Sequence, residues 1–394
     1  MNLLHITPYY PPAYAFGGVV RAVHGMTTAL AARGHSVTVL TTDALDRDRR
    51  LEGPLDTLID GVRVVRVRNA SLWLRGRANL STPRSMRRAA EPLIAAADLV
   101  HFHEFRTAET LLIAPQAARH GLPLVLSPHG TLTTETGRGG LKRLWDLVFS
   151  PRLARRFSAV VALTAAECAE AEALWQALGA TAAFSIVPNG VNLAEFIDRD
   201  GARSAFRARW GLGDAPVCLF LGRLHARKGI DLLVRAFQAA RVEQAYLVIA
   251  GPDEGMLAAI MPLIAADRRV ILTGYLDDAG RRAALAAADV FALPALGEGL
   301  SMAALEALAS GLPAILSPGC NLPEAAAAGA ALIVEREVEP LASALTTLLG
   351  RPELRATMGA RARALVRERF TWDRVSAQLE MVYQSLVNRQ HTRL

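Results

Sequence analysis

Short apolar segments recur along the whole chain and alternate with longer segments rich in Ala and Arg. Most are continuously apolar, which is typical of strands buried on both faces of a parallel sheet. Strands that alternate with helices predict doubly wound α/β domains. The predicted strands are residues 2–7, 37–42, 62–67, 98–103, 123–127, 159–164 and 185–188, followed by 217–222, 245–251, 269–274, 289–294, 313–317 and 331–334.

The chain has 394 residues, more than one hydrophobic core usually supports, so we expect two domains. Near residues 188–216, turn residues and charged residues interrupt the alternation of predicted strands and helices. This interruption predicts the domain boundary there. The predicted domains are residues 1–190 and 191–370, with a terminal helix over 371–394. Two such domains facing each other would leave a cleft, with ligands outside the carboxyl ends of the strands.

Hydrophobic residues make up 52% of the chain and charged residues 21%, which indicates a folded globular protein. Cys168, Cys218 and Cys320 lie far apart without CxxC or Cys/His clusters, which argues against a disulfide framework and a zinc site. The N-terminus enters a strand-like segment without features of a secretory signal. We therefore expect a cytoplasmic protein, soluble or peripheral at the inner face of the membrane.

Excess positive charge belongs to the first half of the chain. Residues 1–190 hold 21 Arg and Lys against 15 Asp and Glu, whereas 191–394 hold 23 against 22. The charge concentrates in 63–88 and 138–157, for which nucleic acid, an anionic membrane surface and a solvated face are competing interpretations. No nucleic-acid-binding motif accompanies these stretches, so no such partner is predicted. Helical spacing favours a membrane-contacting helix formed by Leu141, Leu144, Trp145 and Val148.

Polar residues and glycines follow the predicted strands of the first half. Gly17 and Gly18 precede a helix, where glycine permits close approach of a phosphate, although an ordinary turn explains them equally and the GxGxxG spacing is missing. His101, His103 and His129 resemble a metal cluster, but no carboxylate or Cys spacing completes one. We retain His129 as a site candidate because it follows a strand, and His103 as a secondary one.

The segment GRLHARKG (222–229) follows the first strand of the second half and precedes a helix. Arg223 and Lys228 can converge there on one anionic group at the helix N-terminus. Lysine occurs only at Lys142 and Lys228, against 42 arginines, so its use here indicates a compact point charge. A solvated charged turn is the alternative.

The segment GEGLSMAALEALASG (297–311) carries two glutamates eight positions apart. Glu298 is predicted in a loop after a strand, and Glu306 within a helix that Ser301 caps. A diphosphate could rest on backbone N–H groups of Leu300, Ser301 and Met302. Since carboxylates accept hydrogen bonds from hydroxyl groups, the pattern indicates a nucleotide sugar. Two solvated glutamates would leave the glycine-rich loop unexplained.

Taken together, these segments resemble the retaining nucleotide-sugar glycosyltransferases of family four, which have the GT-B fold. The resemblance covers nearly the whole chain, and its strength comes from the order and spacing of the motifs. They are the glycines at 17–18, RGHSVTVLTT at 33–42, DLVHFH at 98–103, VPNGVN at 187–192, GRLHARKG at 222–229, RVILTGYLDD at 269–278, ADVFALPALGEG at 288–299, and the pair of glutamates.

The resemblance implies a role for each matching residue. Arg223 and Lys228 match the pair that holds the donor diphosphate, and Gly17 and Gly18 match a loop approaching it from the first domain. Glu306 matches the glutamate that binds the ribose hydroxyls, and Glu298 the one that positions the donor sugar. The base would lie near Tyr275 and Leu276, and His129 would face the sugar. The sequence departs from the common Gly-Phe-Gly pattern at Gly299, Leu300 and Ser301, which puts the shape of the sugar pocket in question.

The resemblance also implies a mechanism without an obligatory metal or cofactor. The acceptor hydroxyl would enter on the side from which the diphosphate leaves, and the leaving oxygen would take its proton. Asp46-Arg47-Asp48 and Asp198-Arg199-Asp200 mimic the metal motif of a different glycosyltransferase fold, and we attribute both to chance. In this fold the terminal helix crosses back to the first domain, and closure would exclude water.

The preferred hypothesis is a hexosyltransferase that uses a nucleotide-sugar donor and a glycan or polyprenyl-linked acceptor in cell-surface polysaccharide biosynthesis. One alternative is a sugar-nucleotide epimerase or hydrolase on the same fold. Another is a non-catalytic sugar-nucleotide-binding partner subunit, against which the intact Arg223, Lys228, Glu298 and Glu306 argue. A tandem dinucleotide oxidoreductase is disfavoured because neither half carries GxGxxG.

Overall fold

The structure is a computed structural model that describes residues 1–71, 73–75, 80–133, 139–196, 200–240 and 242–391. The chain divides into two compact units. The first is formed by Met1–Gly190 together with Trp372–Leu394, and the second by Val191–Thr371.

The first unit is built on one eight-stranded sheet. Its strands are β1 (Asn2–Ile6), β2 (Ser36–Thr42), β3 (Asp56–Ile59), β4 (Val62–Val67), β5 (Leu99–His103), β6 (Leu124–Ser127), β7 (Ala159–Ala162) and β8 (Ala183–Ile186). Their order across the sheet is β3-β4-β2-β1-β5-β6-β7-β8. All neighbouring pairs are parallel except β3 and β4.

The antiparallel edge strand β3 was not predicted, and it adds one antiparallel pair to the predicted parallel sheet. Residues 56–59 read Asp-Thr-Leu-Ile and alternate between exposed and half-buried positions, so they form no continuous apolar segment. The turn that follows has positive φ at Asp60 and Gly61, as a two-residue hairpin requires. The Asp-Gly pair was the signal that could have revealed this strand.

Helices cover both faces of the first sheet. They are α1 (Gly18–Ala32), α2 (Met86–Ala95), α3 (Ala108–Arg119), α4 (Gly139–Val148), α5 (Ser150–Ala154), α6 (Ala165–Ala177) and, from the end of the chain, α15 (Trp372–His391). Phe102, Phe157 and Trp175 belong to the core on one face. On the other face, Leu379 and Tyr383 of α15 pack into the core of the first unit.

The second unit is built on a six-stranded, fully parallel sheet. Its strands are β9 (Val217–Leu221), β10 (Tyr246–Ala250), β11 (Val270–Gly274), β12 (Val290–Leu293), β13 (Ala314–Leu316) and β14 (Ala331–Ile333), in the order β11-β10-β9-β12-β13-β14. Its helices are α7 (Asp200–Trp210), α8 (Ile230–Ala239), α9 (Leu257–Ile264), α10 (Asp278–Ala287), α11 (Met302–Ala309), α12 (Pro323–Ala327), α13 (Val338–Gly350) and α14 (Pro352–Arg369).

The prediction of two parallel-sheet α/β domains is confirmed. Each of the thirteen predicted strands is present with its ends within two residues of the expected ones. Strands β5, β9 and β12 are buried at every position, as continuous apolar segments predict.

Strand order reverses once in the middle of each sheet. In the first sheet β1 lies between β2 and β5, and in the second β9 lies between β10 and β12. At such a reversal, the connections from the two neighbouring strands run to opposite sides of the sheet. A crevice therefore opens at the carboxyl ends of these two strands. Chemistry is therefore expected after β1 and β5 in the first unit and after β9 and β12 in the second.

The helices of the described ranges include none with both the length and the apolar character needed to cross a bilayer.

Candidate functional site

The segment after β9 is shaped by a glycine. A 3-10 turn over Ala226–Lys228 leads into α8, and Gly229 joins them with φ of 67°. A Cβ at Gly229 would lie 2.4 Å from the carbonyl oxygen of Pro294, which follows β12. Only glycine tolerates both the positive φ and the close contact with the Pro294 carbonyl. Gly229 therefore allows Lys228 to lie next to the loop that follows β12.

Lys228 and Glu298 form an ion pair across the switch point of the second sheet. Lys228 Nζ lies 2.8 Å from Glu298 Oε2, and the two side chains are only 15% and 14% exposed. The pair joins the segment that follows β9 to the loop that follows β12. These two strand ends are the ones at which open parallel sheets bind ligands.

The loop that carries Glu298 is fixed through its backbone. The N–H of Glu298 donates to the carbonyl of Gly319 at 2.8 Å, and its own carbonyl accepts from Asn321 Nδ2 at 2.6 Å. A guanidinium N–H of Arg227 donates to the carbonyl of Gly297 at 2.6 Å. Because these bonds hold the main chain, Glu298 is positioned before any ligand binds.

Glu306 is paired deep inside the second unit. Ser301 caps α11 as predicted, its side chain accepting from the N–H of Ala304. Glu306 lies on the buried face, with Oε2 at 2.6 Å from an Arg281 nitrogen, and both side chains are 7% exposed. Burial acts to lower the pKa of Arg281, but the pair with Glu306 outweighs it and raises that pKa.

Arg223 and Lys228 pair with different carboxylates in this structure. Its guanidinium nitrogen lies 2.9 and 2.8 Å from the two carboxylate oxygens of Glu254. The strand order explains this separation, because Glu254 follows β10 and Glu298 follows β12, on opposite sides of β9. The predicted convergence of the two cations on one anion stays a prediction.

The remaining predicted residues of the second unit lie at neighbouring positions of the same edge. Tyr275 and Leu276 follow β11, and the Tyr275 side chain is 53% exposed. Leu300, Ser301 and Met302 are buried at the start of α11. The first N–H groups of an α-helix have no acceptor within the helix, so this end favours an anion.

In the first unit, Gly17 and Gly18 begin α1 directly after the loop that follows β1. Gly17 has φ of 97°, and its N–H donates to the carbonyl of Tyr14 at 3.0 Å. The positive φ requires glycine at Gly17, whereas Gly18 is an ordinary first helical residue. Their predicted approach to a phosphate stays a prediction.

His129 follows β6 and is 8% exposed, in the left-handed conformation with φ of 56°. Such a backbone is uncommon for residues other than glycine and often marks functional sites. Its Nε2 lies 2.9 Å from Nδ1 of His103, the secondary candidate. Burial lowers the pKa of His129 to about 4, so the ring is neutral at neutral pH.

Within the described ranges, one group of side chains is compact enough to hold a metal ion, namely His5, His101 and His103. Asp46 of the first Asp-x-Asp sequence turns back on its own loop and accepts from the N–H groups of Asp48 and Arg49. In the second such sequence, Asp198 and Arg199 lie outside the described residues.

Sequence reasoning missed four residues of this site. Glu254 follows β10 in Gly-Pro-Asp-Glu, where the strand-end rule could have found it. Arg227 lies between Arg223 and Lys228 in GRLHARKG, and its charge was the signal that could have marked it. Arg281 and Asn321 act through tertiary contacts with Glu306 and the Glu298 loop, and no local pattern marks either of them.

Two family models match the chain, one for each half. Residues 16–195 match the model described as Glycosyltransferase Family 4, and residues 215–351 match the model described as Glycosyl transferases group 1. The chain belongs to the family-four, group 1 glycosyltransferases.

Curated relatives of this glycosyltransferase extend over nearly its full length. A protein named glycogen synthase from Mycobacterium tuberculosis strain H37Rv is 27% identical over 407 residues, covering 97% of this chain and 94% of the relative. A GDP-mannose-dependent alpha-(1-6)-phosphatidylinositol dimannoside mannosyltransferase from strain H37Ra is 29% identical over 388 residues, covering 96% and 95%.

Solved structures show the same fold. Sucrose-phosphate synthase from Thermosynechococcus elongatus superimposes with a TM-score of 0.79 at 21% identity, covering 99% of this chain and all of the other. The glycosyltransferase therefore has the GT-B fold.

Proposed function

We propose that this enzyme transfers a hexose-type sugar, with retention of configuration, from a nucleotide diphosphate sugar to a glycan or polyprenyl-linked acceptor. The observation that carries the proposal is the set of cation and carboxylate pairs at the carboxyl edge of the second sheet. It combines positive charge for a diphosphate with carboxylates for hydroxyl groups. These are the two chemistries that a nucleotide sugar presents.

Each pair is assigned to one part of the donor. Lys228, Arg223 and the N-terminus of α11 bind the diphosphate, because the helix end and two cations attract its charge. Glu306 accepts hydrogen bonds from the ribose hydroxyls, and Glu298 from hydroxyls of the transferred sugar. Arg281 and the backbone contacts of the Glu298 loop hold these carboxylates in place.

The reaction breaks the bond between the anomeric carbon and the diphosphate oxygen, and forms a bond from that carbon to the acceptor oxygen on the same face. The acceptor proton passes to the leaving phosphate oxygen. Negative charge grows on the diphosphate in the transition state, where Arg223 and Lys228 stabilise it. The proposal requires neither a protein nucleophile nor a metal ion.

The acceptor assignment draws on the relatives. One is named glycogen synthase and another a phosphatidylinositol dimannoside mannosyltransferase, so the names of proteins similar to this chain include both a glycan and a mannolipid. We assign this enzyme to cell-surface polysaccharide biosynthesis at the cytoplasmic face of a membrane.

Support for a membrane surface comes from α4. Asp146 of this helix turns inward, its carboxylate accepting two hydrogen bonds from Arg106 at 2.8 and 2.7 Å. The opposite face is therefore turned outward and is apolar, with Leu147 78% exposed. The other exposed apolar residues of this face are Leu141, Leu144 and Val148.

Exposed basic side chains occur within and shortly after α4 in the sequence. Arg143, Arg152, Arg155 and Arg156 are exposed, which suits an interface with anionic lipid headgroups. Trp145, predicted as part of the face, is half-buried and packs on the Phe149 ring at 4.9 Å. Leu147 takes its place as the most exposed apolar residue.

The other basic stretch, 63–88, is less suited to membrane contact than its positive charge predicted. Arg66 is buried and donates to the carbonyl of Pro11 at 2.7 Å, and Arg63 pairs with Asp56. Arg75 is buried against the Tyr9 ring, 3.8 Å from its centroid. Because these guanidinium groups serve the fold, we confine the membrane proposal to 138–157.

Calorimetric titration with UDP, GDP and ADP sugars in EDTA, with nucleotide release followed in parallel, tests the proposal. Tight binding of one donor with slow release, accelerated by an acceptor, is the expected result. Rapid release without acceptor would favour the epimerase or hydrolase. Binding of no donor would favour the non-catalytic partner subunit, and a strict need for Mg²⁺ would contradict the metal-free mechanism.

A further inference from the structure

Four histidines meet in the core of the first unit, beneath the edge where ligands are expected. His5 of β1 lies in register with His101 of β5, and His103 lies in register with Ser127 of β6. Residues 101 and 103 share one face of their strand because side chains alternate. His129, just beyond β6, completes the group.

Three of these rings form a continuous hydrogen-bonded array. His129 Nε2 lies 2.9 Å from His103 Nδ1, and His103 Nε2 lies 3.0 Å from His5 Nδ1. His101 stands outside the array, because its two nitrogens bond the Tyr383 hydroxyl at 2.5 Å and the Ser127 hydroxyl at 2.8 Å.

The two end atoms of the array, His5 Nε2 and His129 Nδ1, are buried without a hydrogen-bond partner among the described residues. Desolvation keeps the rings neutral by lowering each pKa, to about 3 for His5 and about 4 for His129. A neutral imidazole has one N–H donor and one lone pair. Each bond in the array therefore fixes the tautomer of the next ring.

Only two proton arrangements satisfy both bonds. In the first, all three rings carry the proton on Nε2, which leaves an unpaired N–H at His5. In the second, all three carry it on Nδ1, which leaves an unpaired N–H at His129. Orphaned N–H donors are rarer in protein cores than under-used acceptors. His5 is fully buried, whereas His129 lies at the ligand-binding edge of the sheet, so the second arrangement is favoured.

We propose that His103 and His5 are positioning residues that hold His129 in the Nδ1–H tautomer, so that His129 presents a hydrogen-bond donor, at the carboxyl edge of the first sheet, to an oxygen of a substrate bound at that edge. The ligand part of this inference rests on the proposed function, whereas the tautomer part does not. In this role His129 is a neutral donor and not a general base. The array extends the site inward from His129 to β1.

The decisive experiment measures tautomers directly in the full-length wild-type protein. Histidine labelled with ¹⁵N and long-range ¹H–¹⁵N correlation spectra at pH 7.5 distinguish protons on Nδ1 from protons on Nε2. His5, His103 and His129 are expected in the Nδ1–H form, each assigned by its loss in a single variant. A proton on Nε2 of His129 would overturn the proposal.

Two matched variants test the linkage. His103→Leu removes the central ring and should move the His129 nitrogen shifts towards a mixture of tautomers. His101→Leu removes a ring from the same strand and the same core but leaves both array bonds, so the His129 shifts should stay unchanged. Equal effects of the two variants would mean general core damage and would refute the linkage.

Measurements of activity and of zinc binding provide two further tests of the proposal. His103→Leu should lower kcat/KM for sugar transfer roughly tenfold, as expected for loss of one oriented hydrogen bond. A wild-type spectrum in the Nδ1–H form without any transfer activity would refute the proposed function and leave the array standing. Zinc chloride at one equivalent should leave the spectrum unchanged, whereas shifted His5 and His103 signals would show a metal site and overturn the array.

Discussion

Lys228 and Glu298 form an ion pair 2.8 Å long, 70 residues apart in sequence, between the ends of two neighbouring strands. A nucleotide sugar offers a partner to each member, since its diphosphate attracts the ammonium group and its hydroxyls donate to the carboxylate. We propose that the pair keeps both groups in place at the switch point and that each exchanges its partner when the donor binds.

Replacing Lys228 by Met should weaken donor binding. The expected loss is about 1.5–3 kcal/mol, the range for a charge-assisted hydrogen bond, or roughly 10- to 150-fold in Kd. Calorimetry with the preferred donor measures it. Arg235→Met, which removes an exposed charge from α8, is the matched control and should bind normally. A Lys228→Met protein with unchanged affinity would contradict the diphosphate assignment.

Replacing Glu254 by Gln should strengthen the binding of nucleoside diphosphates. The carboxylate holds Arg223 at 2.8 Å, and the Arg223 side chain is 42% exposed, so releasing it costs little. Because Glu254 is only 11% exposed, the pair is partly shielded from solvent, but solvent still reaches Arg223 and limits the contribution of the pair to about 1 kcal/mol, so we expect a gain of roughly twofold to fivefold. Titration of UDP, GDP and ADP into both proteins measures the change. A loss of affinity would show that Glu254 positions Arg223 for the ligand.

Glu306→Gln should reduce nucleotide affinity, because an amide binds ribose hydroxyls less strongly than a carboxylate. It should also destabilise the second unit, by up to about 3 kcal/mol, since it leaves the buried Arg281 with only its longer contacts to Glu195 and Asp278, at 3.6 and 3.7 Å. Arg281→Met separates the two effects. It should cost similar stability in urea unfolding but lose less affinity than Glu306→Gln, because it keeps the carboxylate and removes only the group that holds it in place. Equal affinity losses in both variants would assign Glu306 a structural role alone.

The first unit should lose stability as the pH falls below about 6.5. His5 and His129 have folded pKa values of about 3 and 4, below the unfolded value of 6.5. The unfolded chain therefore binds more protons in this window, and each such histidine removes about 1.4 kcal/mol per pH unit. The loss is complete only below the folded pKa.

Urea unfolding with pulsed hydrogen exchange and mass spectrometry measures this for peptides of each unit. His5→Leu should reduce the slope in the first unit by about one proton, and the second unit provides the internal control. Buried Glu109 and Glu167 have raised pKa values and oppose the trend, so the comparison between variant and wild type isolates the histidine. An unchanged slope would contradict the neutral state of His5.

Liposome binding should depend on the exposed face of α4. Binding should rise with anionic lipid and fall with salt, because arginines flank the apolar residues. The double variant Leu144→Ser with Leu147→Ser should bind at least about tenfold more weakly. Leu58→Ser alters a leucine of similar exposure on edge strand β3 and should bind like the wild type. Equal binding by all three proteins would remove the membrane proposal.

The sequence alone determined the strands and the positions of chemistry along the chain. Buried parallel strands are continuously apolar, so β9 and β12 were recognisable, and residues just after such strands are where ligands bind. This reasoning led to Lys228, Glu298 and His129. Edge strand β3 escaped because a half-exposed strand carries no continuous apolar signal.

Only the tertiary structure decided which side chains are partners. Arg281 with Glu306, Arg223 with Glu254, and His5 with His103 join residues between 25 and 98 positions apart. Strand order decides which loops become neighbours, and that order depends on packing across the whole sheet. The same packing turned Asp146 inward and left the leucines of α4 exposed, against the ordinary amphipathic arrangement. Local sequence patterns carry no record of such long-range contacts, because the contacts arise when distant segments share one core.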